Sequence, residues 1–383
     1  MNPMRIAMVG TKGIPAKWGG IEKYIEEVGK ILAKKGHFVT VFGSKWYCAD
    51  YHQNKYLGMN IRTVPSLHFK STDALTNGLF ASVAALKGHY DVINFHGYAS
   101  YYFIPLVQRL GKIAVVTAHG AESGWDNPKY GTVARKIIKQ AFKLGITHAD
   151  RVTTVANHLQ NTIKKTFNVD ASVLPSGLDE VHRLPARLIN EKYNLNGLDY
   201  LLFLGRIDPI KRVDWIFDLT GVLREDLKIV IAGGSQDSAM DSYFQQLVHK
   251  SKGDAAIIFT GAVSGIEKAE LLSNCLLFLA PSSYEGLPIT VLEAVAYGSC
   301  CVASDIPAHS EIIEDGVTGY LFPRNDRSAF VRLIYQLIAK HKDRLASIGS
   351  QAKIRSLQKL NWENTSTSFE QLFRSLLDEK RKF

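Results

Sequence analysis

The sequence predicts an α/β chain made of two doubly wound domains. Three observations carry this: short apolar runs alternate with helical patterns, the alternation lapses over a polar stretch near 180–198, and it then restarts. At 383 residues the chain also exceeds what one hydrophobic core comfortably serves. In the first half the strand-like runs are 5–10, 37–43, 60–65, 91–97, 112–120, 151–157 and 171–177. Between the first two lies IEKYIEEVGKILAKK, whose apolar positions 21, 25, 28, 31 and 32 keep a helical period. In the second half the runs are 200–206, 227–234, 255–263, 275–282, 299–305 and 319–323. Strand–helix alternation of this kind means parallel sheets covered on both faces by helices. The expected domains are 1–187 and 188–363, with a C-terminal helix, 364–383, completing the first.

Composition places the chain among soluble globular proteins, with 46% apolar and 21% charged residues. No apolar run approaches membrane-spanning length, and the opening MNPMRIAMVG reads as a first strand rather than a signal peptide. Cys48, Cys275, Cys300 and Cys301 lack metal-ligand spacing, so they read as buried small residues in a reducing cytosol. Residues 1–190 hold 24 Lys and Arg against 12 Asp and Glu, whereas residues 191–383 hold 22 against 24. The basic character therefore belongs to the first half, where an anionic acceptor, an anionic membrane or nucleic acid would account for it.

In open parallel sheets, ligands bind beyond the carboxyl ends of the strands. After the first strand comes GTKGIPAKWGGIEKY, and Gly19-Gly20 before a helix lets backbone N–H groups approach a phosphate or sugar. This is not the GxGxxG spacing of dinucleotide enzymes. Strand 200–205 runs into GRIDPIKR, where Arg206 and Lys211 suit a diphosphate and neutralise it as a leaving group without a metal. The segment PSSYEGLPITVLEAVAYG, 281–298, places Glu285 in a turn, Pro288 at a helix start and Glu293 along that helix. The N–H groups of Leu287, Ile289 and Thr290 would lie at its positive end and hold a phosphate. Carboxylates accept from vicinal hydroxyls, so the two glutamates suit the sugar and the ribose of one extended ligand. Glu285 and Arg206 are expected to face a solvent-filled cleft, so that removing either changes stability by less than about 1 kcal/mol.

The pattern Glu285-x7-Glu293 within SxYEGLPITVLEAxAYG resembles the signature of retaining glycosyltransferases of the GT-B fold, the family often called GT4 or group 1. GRIDPIKR, LPSGLD (174–179) and IPAHSEIIEDGVTGYLF (306–322) extend the likeness, and the opening segment resembles bacterial envelope-polysaccharide, rhamnosyltransferase-like members. The resemblance covers essentially the whole chain. It implies two Rossmann-like domains facing across a cleft, with the donor held mainly by the second and the acceptor mainly by the first. Gly20 then matches the loop glycine that closes over the donor phosphate, and His119 the histidine that contacts the transferred sugar. Arg206 and Lys211 match the diphosphate clamp, Glu285 the carboxylate on the sugar hydroxyls, and Glu293 the one on the ribose. Gly261 and Val263 lie where the base is contacted, and Ser176 stands where many relatives have Asn. His96 ends a strand in the same manner as His119, with a place in the acceptor cleft as its expected role.

The expected activity is retaining, metal-independent hexosyl transfer from a UDP-, GDP- or dTDP-sugar to a glycan or lipid-linked saccharide in envelope polysaccharide synthesis. No further cofactor, metal site or nucleic-acid partner is expected, and the placement expected is cytosolic, at the inner face of the cell membrane. Segment 129–146 puts Lys136, Lys139 and Lys143 on one helical face and Ile137, Ile138, Ala141 and Phe142 on another. That pattern fits a helix at an anionic membrane, and equally one packed on a sheet. Competing readings are another GT-B enzyme such as an epimerase or phosphorylase, a non-catalytic nucleotide-sugar-binding subunit, and a nucleic-acid-binding protein. The intact EGLPITVLE segment, the four retained residues Arg206, Lys211, Glu285 and Glu293, and the lack of a basic–aromatic run weigh against them in turn.

Overall fold

The computed structural model describes residues 2–382 except 18, 68–71, 121–130, 222, 224–225, 235–237 and 341. The chain folds as two compact units, Met1–Gly177 with Asn361–Phe383, and Leu178–Leu360. Both divisions fall ahead of the breaks read from the sequence, and hydrogen bonds explain the first. The Leu184 N–H donates to Ser273 Oγ at 3.0 Å and the Arg187 N–H to Glu270 Oε2 at 3.0 Å, which fixes this stretch on the second unit.

The first unit is built on an eight-stranded sheet. Its strands are β1 (Arg5–Val9), β2 (Phe38–Ser44), β3 (Lys55–Tyr56), β4 (Met59–Val64), β5 (Val92–Phe95), β6 (Ile113–Ala118), β7 (Arg151–Thr154) and β8 (Ala171–Val173). Their order is β3-β4-β2-β1-β5-β6-β7-β8, and every pair is parallel except β3 with β4. Ile6, Ala7, Met8 and Val9 of β1 are fully buried, as a central strand covered on both faces requires. The helices are α1 (Gly20–Lys34), α2 (Thr72–Lys87), α3 (Ile104–Arg109), α4 (Thr132–His148) and α5 (Asn157–Phe167). The connection from β1 to β2 moves across the sheet in one direction, and those through α2, α3 and α4 move in the other. Right-handed crossovers therefore set α1 on one face and α2, α3 and α4 on the opposite face. The C-terminal helix, Trp362–Arg381, lies against α1. Its Trp362 and Phe369 rings stand 5.7 and 6.2 Å from the ring of Tyr24 on α1.

The second unit has a six-stranded, wholly parallel sheet of β9 (Tyr200–Leu204), β10 (Lys228–Ala232), β11 (Ile257–Gly261), β12 (Leu277–Ala280), β13 (Cys301–Asp305) and β14 (Tyr320–Pro323). Their order is β11-β10-β9-β12-β13-β14. The helices are α6 (Leu188–Tyr193), α7 (Ser238–Lys250), α8 (Gly265–Asn274), α9 (Ile289–Ala296), α10 (Pro307–Ser310), α11 (Arg327–Ile338) and α12 (Lys342–Lys359). The strand order reverses at β9/β12, the switch point where this architecture opens a crevice. All four cysteines are buried free thiols, and burial pushes the Cys275 thiol up to about 11.

Candidate active site

In the second unit the expected residues gather at the carboxyl edge of the sheet. Arg206 leaves β9 and is exposed, with no hydrogen bond or ion pair among the described residues. Behind it the loops after β9 and β10 nearly touch, since a Cβ on Gly233 would lie 1.8 Å from the Gly205 carbonyl oxygen. Only glycine fits there, at φ +145. Asp208, 3% exposed, then turns the chain by accepting from the Ile210 N–H at 3.1 Å, which starts the short 3-10 helix Pro209–Lys211. That turn brings Lys211 onto Glu285, with Nζ donating to Oε1 in an ion pair.

Glu285 sits in the loop between β12 and α9 and also accepts from Ser282 Oγ at 2.8 Å. Its side chain is 12% exposed, so the expectation of a solvent-facing carboxylate holds for neither its burial nor its partners. Burial disfavours the Glu285 anion, but the charges of Lys211 and His309 and the bonds from Lys211 and Ser282 outweigh it. The carboxyl is held below its ordinary range. Helix α9 starts at Ile289, with Pro288 one position ahead of it as N-cap rather than as the first helical residue. The Pro288 carbonyl accepts from Val291 and Leu292 at 3.0 and 3.1 Å. The N–H groups of Ile289 and Thr290 precede this ladder and stand at the positive helix end, with Leu287 just before it. Along α9, Glu293 Oε1 accepts from Lys268 of α8 at 2.7 Å. Gly261 ends β11 with φ +73, and Val263, two residues on, packs on the core beneath α9.

One residue here was not picked out by sequence reasoning. His309 on α10 is fully buried and interacts with the charge of Glu285. Its Nδ1 lies 2.8 Å from the Ser304 carbonyl oxygen, while its Nε2 has no partner among the described residues. Burial lowers its pKa. The available signal was its place, a histidine shortly after a strand end within the IPAHSEII segment.

Gly19, Gly20 and His119 belong to the first unit, apart from the group above. Gly19, at φ +99, is the N-cap of α1 and Gly20 its first residue. A Cβ on Gly19 would lie 2.2 Å from Glu22 Oε2. Glu22 meanwhile accepts from Thr11 Oγ1 at 3.1 Å and the Lys12 N–H at 3.0 Å, tying α1 to the loop after β1. His119 ends β6 beside His96, which ends β5, and His96 Nδ1 lies 2.9 Å from His119 Nε2. The Tyr24 ring meets His119 edge-on at 5.0 Å, and Tyr24 Oη donates to the Leu174 carbonyl at 2.7 Å. His96 Nε2 is buried with no partner among the described residues. The less costly tautomer assignment has His96 Nδ1–H donating to His119 Nε2, which leaves a bare lone pair rather than an orphaned N–H.

Burial lowers the pKa of His119 to about 3, and burial with the His119 charge lowers that of His96 well below its ordinary value. Both rings are neutral in the folded chain and take a proton more readily once unfolded. Stability from this pair is full above the unfolded value near 6.5 and is lost as pH falls toward about 3. The loss is up to about 1.4 kcal/mol per pH unit for each ring. Urea unfolding at pH 7 and pH 5 should register it, and His119→Gln should flatten the dependence. An unchanged slope in that variant would show that the ring is not buried as a neutral group.

The chain matches the family described as "Glycosyl transferases group 1" over residues 187–355, and "Glycosyltransferase Family 4" over residues 18–181. It is a group 1 glycosyltransferase. This enzyme uses nucleotide-sugar donors and has the GT-B fold. The glycosyltransferase is 26% identical to the GDP-mannose-dependent alpha-(1-6)-phosphatidylinositol monomannoside mannosyltransferase of Mycolicibacterium smegmatis, over 94% of this chain and 96% of the relative. It is 24% identical to a D-inositol 3-phosphate glycosyltransferase of Geodermatophilus obscurus, over 94% and 86%. Among solved structures it resembles sucrose-phosphate synthase from Thermosynechococcus elongatus, with TM-score 0.83, 20% identity and 98% and 100% coverage. Anabaena HepE in complex with UDP and glucose gives TM-score 0.80, 16% identity and 97% and 100% coverage. Among the described residues no helix of the glycosyltransferase is long and apolar enough to cross a membrane.

Proposed function

We propose that this glycosyltransferase moves a hexosyl unit from a nucleoside-diphosphate sugar to a saccharide or lipid-linked saccharide in bacterial envelope polysaccharide synthesis, with retention and without a metal. The Lys211–Glu285 pair beside the N-terminus of α9 carries the reading. Arg206, Lys211 and the N–H groups of Leu287, Ile289 and Thr290 would bind the diphosphate and stabilise the charge that develops as it leaves. Glu285, kept anionic by its neighbours, would accept from hydroxyls of the transferred sugar. Glu293 would accept from the ribose, and Gly261 and Val263 would line the base. In the first domain Gly19 and Gly20 would approach the donor phosphate, and His119, with its proton on Nδ1, would donate to the sugar. No nucleophile with a paired base is evident among the described residues, so front-face attack assisted by the leaving phosphate is the step proposed. A lipid-linked acceptor is supported by the mycobacterial relative, whose name gives it a phosphatidylinositol monomannoside.

A panel of UDP-, GDP- and dTDP-sugars screened for thermal stabilisation should single out the donor. At 100 times its dissociation constant it adds about 2.7 kcal/mol of stability. Transfer from that donor should persist in excess EDTA, and NMR of the product's anomeric proton should show the donor's configuration. An inverted product, or activity abolished by chelation and restored by Mg²⁺, would overturn the mechanism.

A further inference from the structure

Three neighbouring helices of the first unit each leave an apolar pair exposed at i, i+4. The pairs are Leu75 and Leu79 on α2, Leu106 and Leu110 along and just past α3, and Val133 and Ile137 on α4. Val133 is 72% and Leu110 57% exposed, in contrast to the buried side chains on the inner faces of the same helices. The sheet crossovers put all three helices on one face. Segment 98–103 laces them side by side. A Cβ on Gly78 of α2 would lie 2.9 Å from the Ser100 nitrogen, Tyr101 fills the space beside Gly145 of α4, and Tyr102 Oη donates to the Ile137 carbonyl at 2.8 Å.

The exposed charge carried by these three helices has one sign. The three helices carry Lys87, Arg109, Arg135, Lys136, Lys139 and Lys143, all but Arg135 exposed. Their one acidic residue, Asp73, is buried and accepts from Trp46 Nε1 at 2.8 Å. The first unit as a whole holds 26 Lys and Arg against 14 Asp and Glu. The helix singled out by sequence, 129–146, is only part of this surface: residues 129–130 lie outside the described residues, and Ala141 and Phe142 are buried in the core. Of its four apolar positions only Ile137, at 42%, is exposed, and Val133 joins it one turn earlier.

We infer that this face of the first unit rests on an anionic lipid bilayer, with the three apolar pairs at the acyl boundary and the lysines among the head groups. Exposed apolar pairs between cations, with no exposed carboxylate on the three helices themselves, suit lipid phosphates. A second copy meeting the same face would set cation against cation. The inference rests on this surface and not on the identity of the acceptor.

Co-sedimentation of the full chain tests it, with vesicles of phosphatidylcholine alone and with about one-third phosphatidylserine. The parent should bind the anionic vesicles at low salt, release them at high salt, and ignore the neutral ones. Lys136→Gln, Lys139→Gln and Lys143→Gln together should weaken binding on the order of 100-fold, at about 1 kcal/mol per lysine. Val133→Ser with Ile137→Ser should weaken it with charge unchanged. These positions are exposed, so melting temperature and turnover with a soluble acceptor should stay at parent values. Equal binding by parent and variants, or equal binding to neutral vesicles, would overturn the inference. So would a parent that sediments as a dimer without lipid and is returned to monomer by the serine pair.

Discussion

Glu285→Gln should lower transfer on the order of 100-fold or more, as when a preorganised charge-stabilising group is removed from a reaction centre. Glutamine keeps the size and an acceptor for Ser282 Oγ but removes the anion that faces Lys211. The substitution also touches stability. Lys211 and Glu285 are 14% and 12% exposed, and breaking a buried pair from one side typically costs about 3–5 kcal/mol because the other charge is stranded. Turnover should therefore be read well below the melting midpoint. A second variant, Glu285→Gln with Lys211→Met, removes both charges and should recover most of the stability while turnover stays low. Activity that recovers along with stability would make the pair a structural brace rather than part of the reaction.

Phe369→Ala should destabilise the first unit by about 3–5 kcal/mol. Phe369 on the C-terminal helix is fully buried, 5.4 Å from Phe373 and 6.2 Å from Tyr24. The cavity left behind is walled by Tyr24, whose other neighbour is His119 at 5.0 Å. Chemical denaturation should show the first unit unfolding at lower urea, with the transition of Leu178–Leu360 unmoved. A shift under 1 kcal/mol would mean that the helix covers α1 without helping to hold it.

Much of this molecule was legible because its two sheets are parallel and buried, so each strand is a continuous apolar run between helical patterns. All the runs read from the sequence form strands. The strand missed, β3, is a two-residue edge joined to β4 by Leu57-Gly58, with φ of 49 and 83. Leucine in such a turn gives none of the usual Asn-Gly signal. Of the candidate site, residue types at strand ends were readable but their partners were not. Lys211 and Glu285 are 74 positions apart, and only the turn capped by Asp208 brings them together. His309 escaped notice because one histidine in a loop carries no mark of burial. On α4, the period showed an apolar face, but only the packing of segment 98–103 shows that Phe142 is covered and Ile137 is not.

The arrangement of chain in the first unit has a consequence for synthesis. Its sheet comes from residues before 178, whereas the helix that closes over Tyr24 comes from residues 361–383. A ribosome therefore delivers all of Leu178–Leu360 while α1 still lacks the helix that closes over Tyr24. The later unit is, in genetic terms, an insertion. Its two ends meet, with the Leu178 N–H donating to the Leu360 carbonyl at 3.1 Å. Next to them Gly177 leaves no room for a side chain, since a Cβ there would lie 2.3 Å from the Trp362 nitrogen. A segment that enters and leaves at one point demands no stretch from its host. Two cuts at these neighbouring residues would suffice to exchange the whole second unit for that of a relative, with the first unit left to finish on its own last helix.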